Sequence, residues 1–184
     1  GEMLGSRFLV EPDEYPFELQ SIEVLVGDGT SGGTTQGTFI VHVWEDTGGE
    51  EPGPELVTPF SVVLTAGYFN VIDLQSYNVP EITSGAVRVG LEFTQNPPPS
   101  FLTDYDGFIT QHANTLFSVN FGWHYAEFYG LTGDWILRLN VDTAIDPPTA
   151  TPTQTQGPGT PQPTWTPAPT YSPYPTFTPA PTYT

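Results

Sequence analysis

Residues 37–45 have the sequence GTFIVHVWE, and this stretch decides the fold class. Every second side chain is large and apolar: Phe39, Val41 and Val43. The positions between them form a second set: Ile40, His42 and Trp44. Because successive side chains of an extended chain point to opposite faces, each set shares one face. A period of two predicts a β-strand with one face on a core and the other toward solvent.

The same alternation recurs in GAVRVGLEF (85–93) and in DWILRLNV (134–141). In both stretches, apolar side chains alternate with polar ones such as Arg88 and Arg138, which we expect to face water. Similar runs predict six further strands, at 7–10, 17–26, 56–64, 68–74, 107–111 and 116–124. No stretch has the period of about 3.6 residues that indicates an amphipathic helix.

Turn residues separate the predicted strands at short intervals, as in GLTGD (130–134). Short strands joined by such turns are typical of domains in which two antiparallel sheets pack face to face. We therefore predict an all-β fold for residues 1–146: an antiparallel, jelly-roll-like β-sandwich of about nine strands. A domain of about 140 residues can bury a core without disulfides, and the chain contains no cysteine.

Four stretches together carry a resemblance to a known kind of module: TFIVHVWEDTGGEEPGPEL, FNVIDL, GAVRVGLEF and GLTGDWILRLNV. Their order resembles that of the jelly-roll β-sandwich modules of secreted, multimodular bacterial proteins, which often adjoin Pro/Thr-rich linkers. The resemblance covers roughly residues 6–142. It implies a sandwich fold and an ancillary or structural role, and it brings no set of functional residues with it.

The charge of the chain is strongly one-sided. There are 21 acidic residues, and Arg7, Arg88 and Arg138 are the three basic ones besides histidine, which gives a net charge of −18. Such a body repels nucleic acid and anionic membranes, so we expect neither as a partner. No apolar run approaches the roughly 20 residues that span a bilayer, so we expect no membrane insertion. A composition rich in Thr, Gly, Pro and aromatics, without lysine, favours an extracellular or cell-surface location.

The charge ends at Asp146, and a different kind of sequence follows. Residues 147–162 form an irregular Pro/Thr/Gln/Gly linker, and residues 163–184 form a stem of hexapeptide repeats, PTWTPA, PTYSPY, PTFTPA and PTYT. Proline favours polyproline II, which has about three residues per turn and a rise of about 3.1 Å. The repeated aromatics therefore fall on one side, about 19 Å apart. These expected assembly anchors are Trp165, Tyr171, Phe177 and Tyr183.

Hydroxyl residues flank each aromatic of the stem and are the expected glycan carriers: Thr164, Thr166, Thr170, Ser172, Thr176, Thr178 and Thr182. No Asn-x-Ser/Thr acceptor occurs, so we expect O-glycosylation. The plan of an acidic sandwich and a Pro/Thr stem is similar to that of subunits of extracellular bacterial fibrils with glycan-coated stems. This resemblance implies a structural subunit of an extracellular filament, a helical homopolymer whose partners are further copies of the chain and covalent glycans.

An alternative function rests on the aromatic stretch FGWHYAEFYG (121–130). Aromatic faces stack on sugars, so Trp123, Tyr125 and Tyr129 could form a sugar-binding platform. The chain would then be a carbohydrate-binding or ancillary module of a secreted enzyme, with a mucin-like linker. The competing interpretation of these aromatics is core and edge packing.

Metal and catalytic patterns are weak. TDYDGF (103–108) places Asp104 and Asp106 as in the start of a calcium loop, without the later ligands, and the acidic run 45–51 is a second possible hard-cation site. A structural calcium ion is therefore possible, and no other cofactor is expected. The histidines at 42, 112 and 124 lack ligand spacing. Since no catalytic motif occurs, we do not expect an enzyme.

Overall fold

The computed structural model of the chain describes residues 1–27, 36–94, 100–104, 106 and 108–143. The chain divides into two units, Gly1–Pro147 and Pro148–Thr184, and every described residue belongs to the first. The predicted linker at 147–162 and the predicted stem at 163–184 lie outside the described residues.

Nine β-strands make up the described part of the first unit. They are β1 (Met3–Phe8), β2 (Glu18–Leu25), β3 (Gln36–Asp46), β4 (Phe60–Thr65), β5 (Phe69–Asp73), β6 (Ala86–Phe93), β7 (Asn114–Ser118), β8 (Gly122–Tyr125) and β9 (Leu137–Asp142). Short 3-10 helices lie between strands at Pro12–Glu14, Gln75–Tyr77 and Ala126–Tyr129. Antiparallel pairing forms a six-stranded sheet, β4-β3-β6-β1-β7-β8, and a three-stranded sheet, β5-β2-β9. The predicted all-β, antiparallel fold class is therefore confirmed.

One hydrophobic core lies between the two sheets, as expected of a β-sandwich. The alternation in β3 places Val41 opposite Leu91 and Val43 opposite Val89 of β6, and all four side chains are buried. The small sheet contributes further buried side chains to this core: Ile22, Val24, Ile72 and Leu137. The alternation in the sequence therefore identified the core face of the central strands correctly.

Several predicted strands differ from the structure: the runs 7–10 and 56–64 overlap β1 and β4 only in part, and two others are wrong. The run 116–124 is not one strand, because the chain reverses at 119–121, where the Phe121 N–H donates to the carbonyl of Ser118 at 3.2 Å. The period of two continues through this turn, so alternation alone could not reveal the reversal. Within the predicted strand 107–111, the described residues 108–111 do not form a strand.

The prediction that Arg88 faces water is also wrong, because its side chain is 0% exposed. It lies on the face of β6 that points away from the core, but the loop after β3 covers that face. The guanidinium donates to Asp46 Oδ1 at 2.6 Å, to the carbonyl of Glu50 at 2.6 Å and to that of Gly49 at 2.8 Å. Arg7 forms an ion pair with the other oxygen of Asp46. Two arginines thus hold the acidic loop considered above as a cation site.

Candidate functional site

The outer face of the six-stranded sheet, meaning the face away from the core, carries two of the three aromatics predicted to bind sugar. Trp123 and Tyr125 stand on this face of β8, opposite Phe117 and Thr115 of β7. Both aromatic side chains are half-buried. The strand register therefore brings the pair Trp123 and Tyr125 to one surface, as their spacing in the sequence predicted.

Trp123 belongs to an aromatic cluster that runs across this outer face. Its ring meets that of Trp44 edge-on at 5.7 Å and lies 5.6 Å from that of Phe117. Trp44 lies against Gly90 of β6, where a Cβ would come within 2.7 Å of the Trp44 Cη2 atom. Because the glycine leaves this space, Trp44 is only 5% exposed. Trp44 thus packs against Trp123 and offers little surface of its own to a ligand.

Tyr125 is partly covered. Its ring stacks on His112 at 4.2 Å, and its hydroxyl donates to the carbonyl of Gly48 at 3.2 Å. These contacts attach the end of β8 to two loops. A sugar that used this ring would have to take the face that His112 leaves free.

Tyr129 lies in a separate cluster. It follows β8 in the 3-10 helix Ala126–Tyr129, and its ring contacts Phe121, Phe128 and His124. His124 points to the opposite face of β8 from Trp123. The Tyr129 hydroxyl is buried and has no hydrogen-bond partner in the described structure. The three predicted residues therefore do not form one continuous platform.

A histidine between two carboxylates adjoins the Trp44 ring. His42 Nδ1 lies 2.7 Å from Glu55 Oε1, and His42 Nε2 lies 3.4 Å from Glu92 Oε2. The imidazole stacks on Trp44 at 4.8 Å with an interplanar angle of 10°. The pKa of Glu92 is lowered, first by its hydrogen bond with the N-terminal ammonium group and also by its hydrogen bond with His42, while burial opposes the shift.

Sequence reasoning missed this group because its partners come from separate segments. The alternation placed His42 and Trp44 on one face, so their stacking could have been predicted from the sequence. The pairing with Glu55 and Glu92 depends on a loop and on the register of β3 with β6, which the sequence pattern does not encode.

The loop at 103–108 uses its carboxylates to hold the backbone. Asp104 Oδ1 accepts from the Asp134 N–H at 2.8 Å, and Asp106 Oδ1 accepts from the Phe108 N–H at 2.8 Å. Asp134 in turn accepts from the Thr110 N–H at 2.9 Å and the Asn114 amide at 2.6 Å. Among the described residues, no group of three or more His, Asp or Glu side chains is arranged to hold a metal ion. Calcium binding by Asp104 and Asp106 stays a prediction.

The predicted glycan carriers and assembly anchors of the stem all lie outside the described residues. No protein-family model matches the chain, and no curated protein matches it. Among solved structures, a clostridial cysteine protease after propeptide cleavage matches 78% of this chain at 16% identity and a TM-score of 0.49. The chain covers 36% of that protease chain. The described helices include none long and apolar enough to cross a membrane.

Proposed function

We propose that the chain is a structural, non-enzymatic subunit of an extracellular or cell-surface filament. In this proposal residues 1–146 form a jelly-roll body, and the stem at 163–184 packs along neighbouring copies of the chain. The alternation of the first strands between the two sheets, with β1 and β3 in the large sheet and β2 in the small one, supports a jelly-roll arrangement.

One observation supports this proposal above all: the stem is an uncharged, regular hexapeptide repeat that follows a strongly acidic body. Aromatic, hydroxyl and proline positions recur every six residues over residues 163–184. A linker needs no such period, whereas a row of equivalent docking sites on successive subunits does. Contacts that run from one copy to the next without closing a ring generate a filament. The net charge of −18 opposes contact between bodies, and a neutral stem escapes that repulsion.

The test is electron microscopy of negatively stained protein, comparing the full chain with a version that ends at Asp146. We expect filaments from the full chain and separate globules from the truncated one. Globules in both samples would reduce the stem to a linker and overturn the proposal. Filaments in both samples would assign assembly to the body instead.

Covalent glycans on the stem are part of the proposal. Threonine or serine stands on both sides of Trp165, Tyr171 and Phe177, and these hydroxyls fall on the two polyproline II sides that the aromatics leave free. Mass spectrometry of stem peptides from the native protein, before and after β-elimination, would test this. Loss of hexose-sized masses from peptides of the stem is the expected result.

A second candidate function is carbohydrate binding by the body, and the outer-face pair Trp123 and Tyr125 favours it. Two half-buried aromatics on one strand suit stacking on a sugar ring. The coverage of Tyr125 by His112 and the burial of Trp44 reduce the surface on offer, so we rank this function second.

A further inference from the structure

In the part of the chain that the structure describes, one side of the sandwich is open, and the edges of both sheets lie next to each other there. β4 is the edge strand of the large sheet, and β5 is the edge strand of the small sheet. A turn at 65–68 joins them, and the Asn70 side chain closes it by accepting from the Thr65 N–H at 2.8 Å and donating to the carbonyl of Thr65 at 3.0 Å. Among the described residues, two adjacent strands therefore present unpaired backbone edges to the same side.

This open side lacks the features that usually protect an edge. Strands at the edge of a sheet commonly carry charge or proline, or are kept very short. The opposite edges follow that rule: β9 contains Arg138 and Asp142, and β8 has only four residues. The strands β4 (FSVVLT) and β5 (FNVID) have no proline and no lysine, and Asp73 is their one charge. An edge of this kind is suited to a partner.

A groove of about 390 Å³ runs between the two strands. Its lining includes Val62, Leu64, Asn70, Ile72, Ser76 and Tyr77. Val63 and Val71, at 63% and 67% exposure, form apolar rims. At one end Tyr77 stacks on Phe60 with ring centroids 3.5 Å apart. The groove thus combines apolar walls with polar side chains, including Asp73, and has a stacked aromatic pair at one end.

We propose that the groove between β4 and β5 binds a repeat of the stem, residues 163–184, from a second copy of the chain. Aromatic-lined grooves recognise proline-rich segments in polyproline II conformation. Proline donates no hydrogen bond, but the carbonyls of the stem can accept from the free N–H groups of an edge strand. The stem also brings no charge to a body whose own surface is strongly acidic.

The lengths of groove and repeat agree. β4 has six residues and β5 has five, which at about 3.4 Å per residue gives walls of about 20 and 17 Å. One hexapeptide repeat in polyproline II spans about 19 Å. One repeat therefore fills one groove, with one aromatic side chain to anchor it.

Photo-crosslinking in the full chain tests this docking. Phe177→p-benzoylphenylalanine places the reactive group on a stem anchor, and an equal mixture of isotopically light and heavy protein distinguishes crosslinks between copies from those within one copy. The expected products join position 177 of one copy to residues 62–64, 70–73 or 77 of another. Crosslinks that stay within a single copy would overturn docking between copies.

The docking rests on the proposed filament function. The experiment nevertheless distinguishes a failure of the docking site from a failure of the filament function. Filaments whose crosslinks between copies fall elsewhere on the body would overturn the groove and leave the filament intact. An absence of both filaments and crosslinks would overturn the filament function and the groove together.

A matched pair of surface variants gives a second readout. Val63→Lys adds a charge to the groove rim, and we expect it to lower the crosslink yield about tenfold, since the charge must be desolvated when the stem docks. Val119→Lys adds the same charge at a position that is 74% exposed on the β7–β8 turn, and it should leave the yield unchanged. Equal yields from the two variants would contradict docking at β4.

Discussion

The guanidinium of Arg88 lies 2.6 Å from Asp46 Oδ1, and both side chains are completely buried. Burial lowers the pKa of Arg88, and the charge of Asp46 opposes that shift. The pair, together with Arg7, ties the loop after β3 to the outer face of the large sheet. Two of the three arginines of the chain therefore serve the fold, which leaves Arg138 as the basic side chain exposed on the small sheet.

We predict that Arg88→Met lowers the free energy of unfolding by about 3–5 kcal/mol. Removing one partner of a buried ion pair leaves the other charge poorly compensated, and the carbonyls of Gly49 and Glu50 lose their donors as well. Urea unfolding followed by circular dichroism measures the change.

The matched control is Arg138→Met. The Arg138 side chain is 67% exposed and its nearest carboxylate oxygen, on Glu23, is 4.0 Å away. Its replacement should change stability by less than about 0.5 kcal/mol. Similar losses from both variants would mean that the buried position of Arg88 is not what stabilises the loop.

Gly90→Ala should destabilise the body by about 1–3 kcal/mol and alter the fluorescence of its tryptophans. The added methyl group would come within 2.7 Å of the Trp44 Cη2 atom and 2.8 Å of the Leu4 carbonyl oxygen. The Trp44 indole would therefore have to move from its present position. Gly49→Ala is the control, because nothing lies within 4 Å of a Cβ built there. An unchanged emission spectrum for Gly90→Ala would contradict the packing described for Trp44.

The fold was predictable from sequence where a strand obeys one period along its whole length. β3 and β6 do so, and their core faces were assigned correctly. The β7–β8 turn was missed because alternation continues through it. Arg88 was misplaced because the loop that buries it is distant in sequence. Tyr129 was wrongly grouped with Trp123. The 3-10 helix after Tyr125 ends the period of two, and the aromatic residues of the sequence do not indicate that change.

Replacing the four stem aromatics, Trp165, Tyr171, Phe177 and Tyr183, by alanine should abolish assembly and leave the body folded. The aromatic rings are the largest apolar groups of each repeat, so their loss removes the expected anchors and leaves every proline of the stem in place. Negative-stain microscopy measures assembly, and circular dichroism measures folding of the body. Phe108→Ala, which removes a ring that is 79% exposed on the body, should assemble normally. Normal filaments from the quadruple variant would contradict the docking role.

The two candidate functions make different predictions for Trp123→Ala. If the chain is a filament subunit, the variant should assemble as the unaltered chain does, because Trp123 lies on the far side of the large sheet from the edge strand β4. If the body binds sugar, affinity for a polysaccharide should fall by up to about tenfold, since a stacked aromatic contact is worth about 0.5–1.5 kcal/mol and about 1.4 kcal/mol corresponds to a factor of ten. Titration of the full chain against a polysaccharide panel, beside the same titration of Phe128→Ala, separates the two. Binding lost in Trp123→Ala and kept in Phe128→Ala would establish the outer face as a sugar site, whereas no binding by the unaltered chain would remove that function.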